Sequence, residues 1–190
     1  MKLAGRIASL WADERRRFAI LFTLLAGCLL GAYYFPRGDD SAVEHFTGEY
    51  LRGYTRMLGL VLVPFDPGVH ARGNLVTGRF SMQIVKSCDA MEANILFTAA
   101  LLAIRGPWAR KLVALAGGLG ALVAFNLVRL FALYWVGVFA PSVFEFLHLD
   151  IWPLLMIAFA ALDFVVCVRW MSRRAAQGFG SGEADPHVTA

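Results

Sequence analysis

The stretch Ile104-Arg105-Gly106-Pro107-Trp108-Ala109-Arg110-Lys111-Leu112 decides how this chain is read. It separates two apolar runs, Ala90–Ile104 before it and Leu112 to about Ala140 after it. Three cations in a short loop between such runs hold the loop on the cytoplasmic side of a bilayer and make the flanking runs antiparallel spans. Composition agrees. The 190 residues are 58% hydrophobic and 13% aromatic, with a mean hydropathy of +0.60, which excludes a soluble domain of this length. The formal charge of +4 comes from basic residues beside apolar runs, so no nucleic-acid patch is indicated.

Working outward, Glu14-Arg15-Arg16-Arg17 precedes the apolar run Phe18–Phe35. That run is long and lacks a small-x-small cleavage site, so it reads as a retained first transmembrane helix with its N-terminus inside. Pro36-Arg37-Gly38-Asp39-Asp40 breaks it. Between Ser41 and Val63, Val43, Phe46, Tyr50, Tyr54, Met57, Leu58 and Val61 recur at helical spacing. Glu44, Glu49, Arg52 and Arg56 rule out a full span, leaving an amphipathic helix at the interface. Val69–Val76 and Arg79–Val85 flank Thr77-Gly78 and read as a small hairpin. Ala114, Gly117, Gly118 and Ala121 permit close helix packing in the third span. Its length requires tilting, kinking or protrusion. Pro141–Asp150 reads as a short outer loop, and Arg169, Arg173 and Arg174 fix the end of the fourth span inside.

The expected fold is an all-α polytopic membrane protein with an interfacial helix and a small outer-face β-hairpin. About four transmembrane helices are expected, near residues 18–35, 90–104, 112–139 and 151–168. Residues 1–17 are cytoplasmic, 18–170 form the membrane-embedded unit with 36–87 at its outer face, and 171–190 form a cytoplasmic tail that reads as disordered.

Chemistry concentrates at one depth. At ~1.5 Å of rise per residue, Cys88 lies roughly 26 Å from Arg105, Arg129 roughly 27 Å from Lys111, and His148 about 32 Å from Arg169. All three therefore reach the outer boundary of a hydrocarbon core ~30 Å thick. Cys88, in Ser87-Cys88-Asp89-Ala90-Met91-Glu92-Ala93, is the candidate nucleophile. A helix N-terminus there favours the thiolate, and Lys86 adds positive charge. His148 suits an acid–base role. Arg129, within an apolar run, must face protein or water; it suits an oxyanion or an ion pair with Glu92. Asn126 shares its helical face. The plainer alternatives are a boundary cysteine without a role, an interfacial histidine, and an Arg129–Glu92 pair that is only structural. Cys28 and Cys167 lie in apolar runs and no CxxC occurs, so neither a redox pair nor a metal site is expected.

These residues resemble the exosortase/archaeosortase family. The likeness rests on Ser87–Ala93, on Asn126-Leu127-Val128-Arg129, and on His148 within Phe144-Glu145-Phe146-Leu147-His148-Leu149 at the head of the last span. It covers roughly Phe18 to Trp170 and is nearest the exosortase H subtype. The resemblance implies a cysteine transpeptidase without cofactor, at the outer (periplasmic) face of a bacterial inner membrane. Its substrates would be membrane-anchored proteins with a C-terminal sorting signal of motif, apolar helix and basic cluster, here of the IPTL-CTERM kind. Cys88 would be nucleophile, His148 acid/base, and Arg129 the oxyanion or positioning group; Glu92, Asn126 and Lys86 would support them. The family's cysteine is typically followed by a small or polar residue and then glycine, whereas Asp89-Ala90 follow here. Alanine has less backbone freedom than glycine, and Asp89 opposes a neighbouring thiolate. The competing functions are a protease that only hydrolyses and a non-catalytic membrane assembly or scaffold subunit. A thiol oxidase would need outer-face cysteine pairs that the sequence lacks, and a transporter a repeat or broken-helix pair.

Overall fold

The computed structural model describes residues 14–35 and 42–180, with side chains to 173 except that of Ser87. The Pro36–Asp40 break, most of the N-terminal segment and the end of the tail fall outside those residues. Within the described residues helix α1 covers Glu14–Tyr34, so Arg15, Arg16 and Arg17 are helical. Helix α2 (Ala42–Leu62) is amphipathic as expected, but the face it buries carries Thr47, Leu51, Tyr54, Thr55, Leu58 and Leu62, while Phe46, Met57 and Val61 of the expected stripe are exposed.

The sheet corrects the expected hairpin. Three antiparallel strands, β1 (His70–Arg72), β2 (Leu75–Thr77) and β3 (Met82–Gln83), lie in the order β1-β2-β3. What reads as one strand over Val69–Val76 folds back on itself at Gly73-Asn74, where Gly73 takes a φ of 62° open to glycine. Val76 and Met82 point inward to a core shared with Leu58 and Leu62 of α2.

Helix α3 (Met91–Ala103) is a 13-residue apolar helix, about 20 Å long at the standard rise. Helix α4 runs from Trp108 to Phe139, so Arg110 and Lys111 belong to its first turn rather than to a loop. Its extra length has a purpose: Leu130 and Tyr134 join the outer core under α2 and the sheet. The other half packs in a second core with α3 and the last helix, through Ala114, Leu122, Phe97, Met156 and Met171. Gly118 makes that packing possible, since a Cβ there would overlap the Phe97 ring; Gly117 faces open space.

Residues 141–150 are not a loop. Pro141 starts a short helix α5 (Pro141–Phe146), which passes through a π-helical turn, Leu147–Ile151, into α6 (Trp152–Gly180). Proline suits a first helical position because its missing N–H would have no partner there. The widened turn also has a local cause. Pro153 cannot donate to the preceding turn, and Trp152 N–H bonds Leu147 O, five residues back. Since α6 continues to Gly180, the start of the tail is helical rather than disordered. Helix α1, helix α4 and the continuous segment Pro141–Arg173 are long and apolar enough to cross a membrane.

Candidate functional site

Cys88 sits where the outer core meets the helical bundle. It ends a 3₁₀ turn (Lys86–Cys88) held by its own N–H to Val85 O at 2.7 Å. It therefore precedes α3 rather than beginning it, because Ala90 intervenes with left-handed backbone, φ 56° and ψ 17°. Asp89 Oδ1, not the cysteine, accepts the first-turn N–H of Met91 at 2.8 Å. Cys88 is 3% exposed, and its carbonyl accepts from Asn126 Nδ2 at 3.0 Å. Asn126 is fully buried and ties the turn to α4.

The π turn delivers His148 to the same point. Its Nε2 lies 3.7 Å from Cys88 Sγ. Stacking fixes the ring: Phe144 lies parallel to it with centroids 5.7 Å apart, and Phe80 from the β2–β3 connection packs on Phe144 at 5.3 Å. Phe80 is seated on Gly137 of α4, where a Cβ would lie 2.5 Å from its ring. His148 Nδ1 is buried without a hydrogen-bond partner among the described residues, so packing orients this imidazole.

Arg129, 3% exposed, interacts electrostatically with both Cys88 and Asp89, and its charge is felt at His148. The expected partner Glu92 does not pair with it. Glu92 is exposed and accepts the Tyr34 hydroxyl; the acidic neighbour of Arg129 is Asp89. Asp89 itself is 1% exposed. Burial pushes its pKa above the usual carboxylate range, against hydrogen bonds from Tyr33 Oη and Met91 N–H that pull it down. Lys86 forms an ion pair with Glu44 at 2.8 Å and lies over the Tyr33 ring.

Beside these groups runs a cavity of about 470 Å³ between α1, α3 and α6. Lys86, Asp89, Arg129 and His148 lie at its polar end, and its walls are apolar, among them Phe22, Leu96 and Phe164. Of the sequence candidates, Cys88, His148, Arg129 and Asn126 come together, whereas Glu92 and Lys86 line the cavity through other partners. Tyr33, Phe80 and Tyr50 were not legible as site residues. Tyr50 accepts Asn94 Nδ2 at 3.0 Å and donates to Asp89 O at 3.4 Å. The spacing of Tyr50 on the amphipathic α2 marked it only as a core position. Among the described residues no cluster of His, Cys, Asp and Glu could hold a metal ion. Comparison with family models, curated proteins and solved structures finds no match to this chain.

Proposed function

We propose that this membrane protein is a cysteine transpeptidase or protease of the exosortase kind, cleaving C-terminal sorting signals through a Cys88 acyl-enzyme. The observation that carries the reading is the 3.7 Å approach of His148 Nε2 to Cys88 Sγ, with His148 and buried Arg129 lining the polar end of an apolar cavity. The topology proposed is four-pass, with α3 as a short second span, both termini in the cytoplasm, and the site at the periplasmic face of a bacterial inner membrane. Arg15, Arg16 and Arg17 in α1 and Arg169, Arg173 and Arg174 in the second half of α6 support that orientation.

The chemistry follows from the groups present. An apolar substrate segment occupies the cavity and brings its scissile carbonyl to Cys88. Sulfur attacks the carbonyl carbon while the thiol proton passes to His148 Nε2. Arg129 stabilises the negative oxygen of the tetrahedral intermediate, in a setting where few waters compete. Collapse breaks the C–N bond, the departing amine takes the proton from His148, and a thioester remains. An acceptor amine or water then attacks the thioester, giving transfer or hydrolysis.

A second reading, a non-catalytic scaffold subunit, draws on the burial of Cys88 in the outer core. One experiment separates the two. A tagged reporter ending in motif, apolar helix and basic cluster is co-expressed with wild-type protein or with Cys88→Ala. Tail loss with wild type alone supports the proposal, and equal processing in both strains removes Cys88 as the nucleophile.

A further inference from the structure

At the opposite end of the bundle lies a second pocket of about 660 Å³. Arg17 of α1, Arg105 of the α3–α4 connection and Lys111 of α4 converge on it, beside Leu21, Leu102 and Trp108. Lys111 is the unusual member. It is 5% exposed, yet among the described residues no carboxylate pairs with it. Its ammonium donates to Leu102 O at 3.0 Å and lies 5.0 Å from the centre of the Trp108 ring. Of its three N–H donors, the remaining two have no acceptor among the described residues. Arg17 adds a like charge that repels it. Arg105 bridges Glu14 at 3.0 Å, but that pair is largely exposed and holds Arg105 weakly. A buried cation beside like charges is costly unless an anion balances it.

We infer that this pocket binds the phosphate of an anionic lipid headgroup, held by Arg17, Arg105 and Lys111. Two features favour a lipid over free phosphate. The apolar wall of Leu21, Leu102 and Trp108 suits the glycerol and upper acyl chain, and the pocket lies at the ends of two helices long and apolar enough to cross a membrane. Basic pockets between such helices select anionic headgroups over zwitterionic ones. This pocket is separate from Cys88 and shares no lining residue with the cavity there.

The test uses full-length protein in neutral detergent, with thermal unfolding measured as lipid is added. Dioleoylphosphatidylglycerol at about a hundred times its Kd should raise Tm on the order of 5–10 °C, and dioleoylphosphatidylcholine should not. Arg17→Gln and Arg105→Gln, both on partly exposed side chains, should each shrink the rise, and the double variant should abolish it. Lys111→Met should do the same provided it folds, and the arginine variants suffice if it does not. Inorganic phosphate is the second arm. A rise with phosphate equal to that with phosphatidylglycerol would overturn the lipid assignment. An unchanged phosphatidylglycerol effect in the double variant, or none in wild type, would overturn the site.

Discussion

At Ala90 a side chain occupies left-handed backbone that glycine enters freely. A Cβ there costs roughly 1–2 kcal/mol, and the strain lies two residues from the candidate nucleophile. Ala90→Gly should therefore hold stability or raise it by up to about 1 kcal/mol, because relief of strain outweighs the extra freedom of the unfolded chain. Ala90→Val, β-branched, should lower stability by about 1–3 kcal/mol. Thermal unfolding in detergent checks both, and equal midpoints for the two variants would contradict the account. The Asp89-Ala90 pair was legible as a departure from the glycine pattern, but its consequence was not. Asp89 accepts the Tyr33 hydroxyl and shares an electrostatic interaction with Arg129, both across segments far apart in sequence. No local spacing reveals them. Likewise Glu92 looks apt for Arg129 from its place near the start of α3, yet it lies on the exposed side with Tyr34.

Among the elements, the π turn at Leu147–Ile151 sets the direction of His148. Pro153 sustains it by withholding the N–H that a regular α-helix would use. Pro153→Ala allows the regular ladder to close, and each residue of α-helix turns about 100°. The variant should fold with an unchanged or higher Tm while reporter processing falls by about tenfold or more, as expected when catalytic groups are misplaced. Unchanged processing would mean that the turn does not position the histidine. In the sequence this element reads as a loop because Pro141 and the absence of Lys and Arg look like a break between spans. Proline at the first position of a helix gives the same signature. By contrast, α2 was legible as a helix, since apolar spacing over five turns overrides its charges, but its buried face was read only in part: Tyr54 and Leu58 are inside, whereas Phe46, Met57 and Val61 are exposed. Gly73 marked the missed turn in the sheet, but strands of two or three residues leave little periodicity to read.

Across the whole molecule, α4 joins the outer cap to the bundle, and one buried contact fastens the cap. Tyr134 Oη donates to Asp66 Oδ2 at 2.6 Å. That bond, with the Arg79 and Gly68 N–H groups, holds the Asp66 carboxyl below its usual pKa. A depressed carboxylate pKa gives stability that is present above the ordinary range near about 4 and lost as pH falls through the folded value. Tyr134→Phe removes the largest cause, so the variant should be less stable at neutral pH and converge on wild type in acid. Unfolding midpoints from about pH 3 to 8 test this, and a gap constant with pH would contradict it. The long apolar helices were legible from hydropathy alone, because membrane crossing is set by length and composition. The meeting of Cys88, Arg129 and His148 was anticipated from depth alone; the orientation of each side chain was not, because it depends on the Ala90 backbone and on Phe80 against Gly137. The proposed chemistry reduces to one species. The measurement is intact and peptide mass analysis of wild-type protein isolated during reporter turnover, with Cys88→Ala alongside. The account predicts a hydroxylamine-labile adduct on the Cys88 peptide, equal in mass to the reporter lacking its tail and absent from the variant. Tail loss at the wild-type rate in Cys88→Ala, with no adduct on either protein, would contradict it.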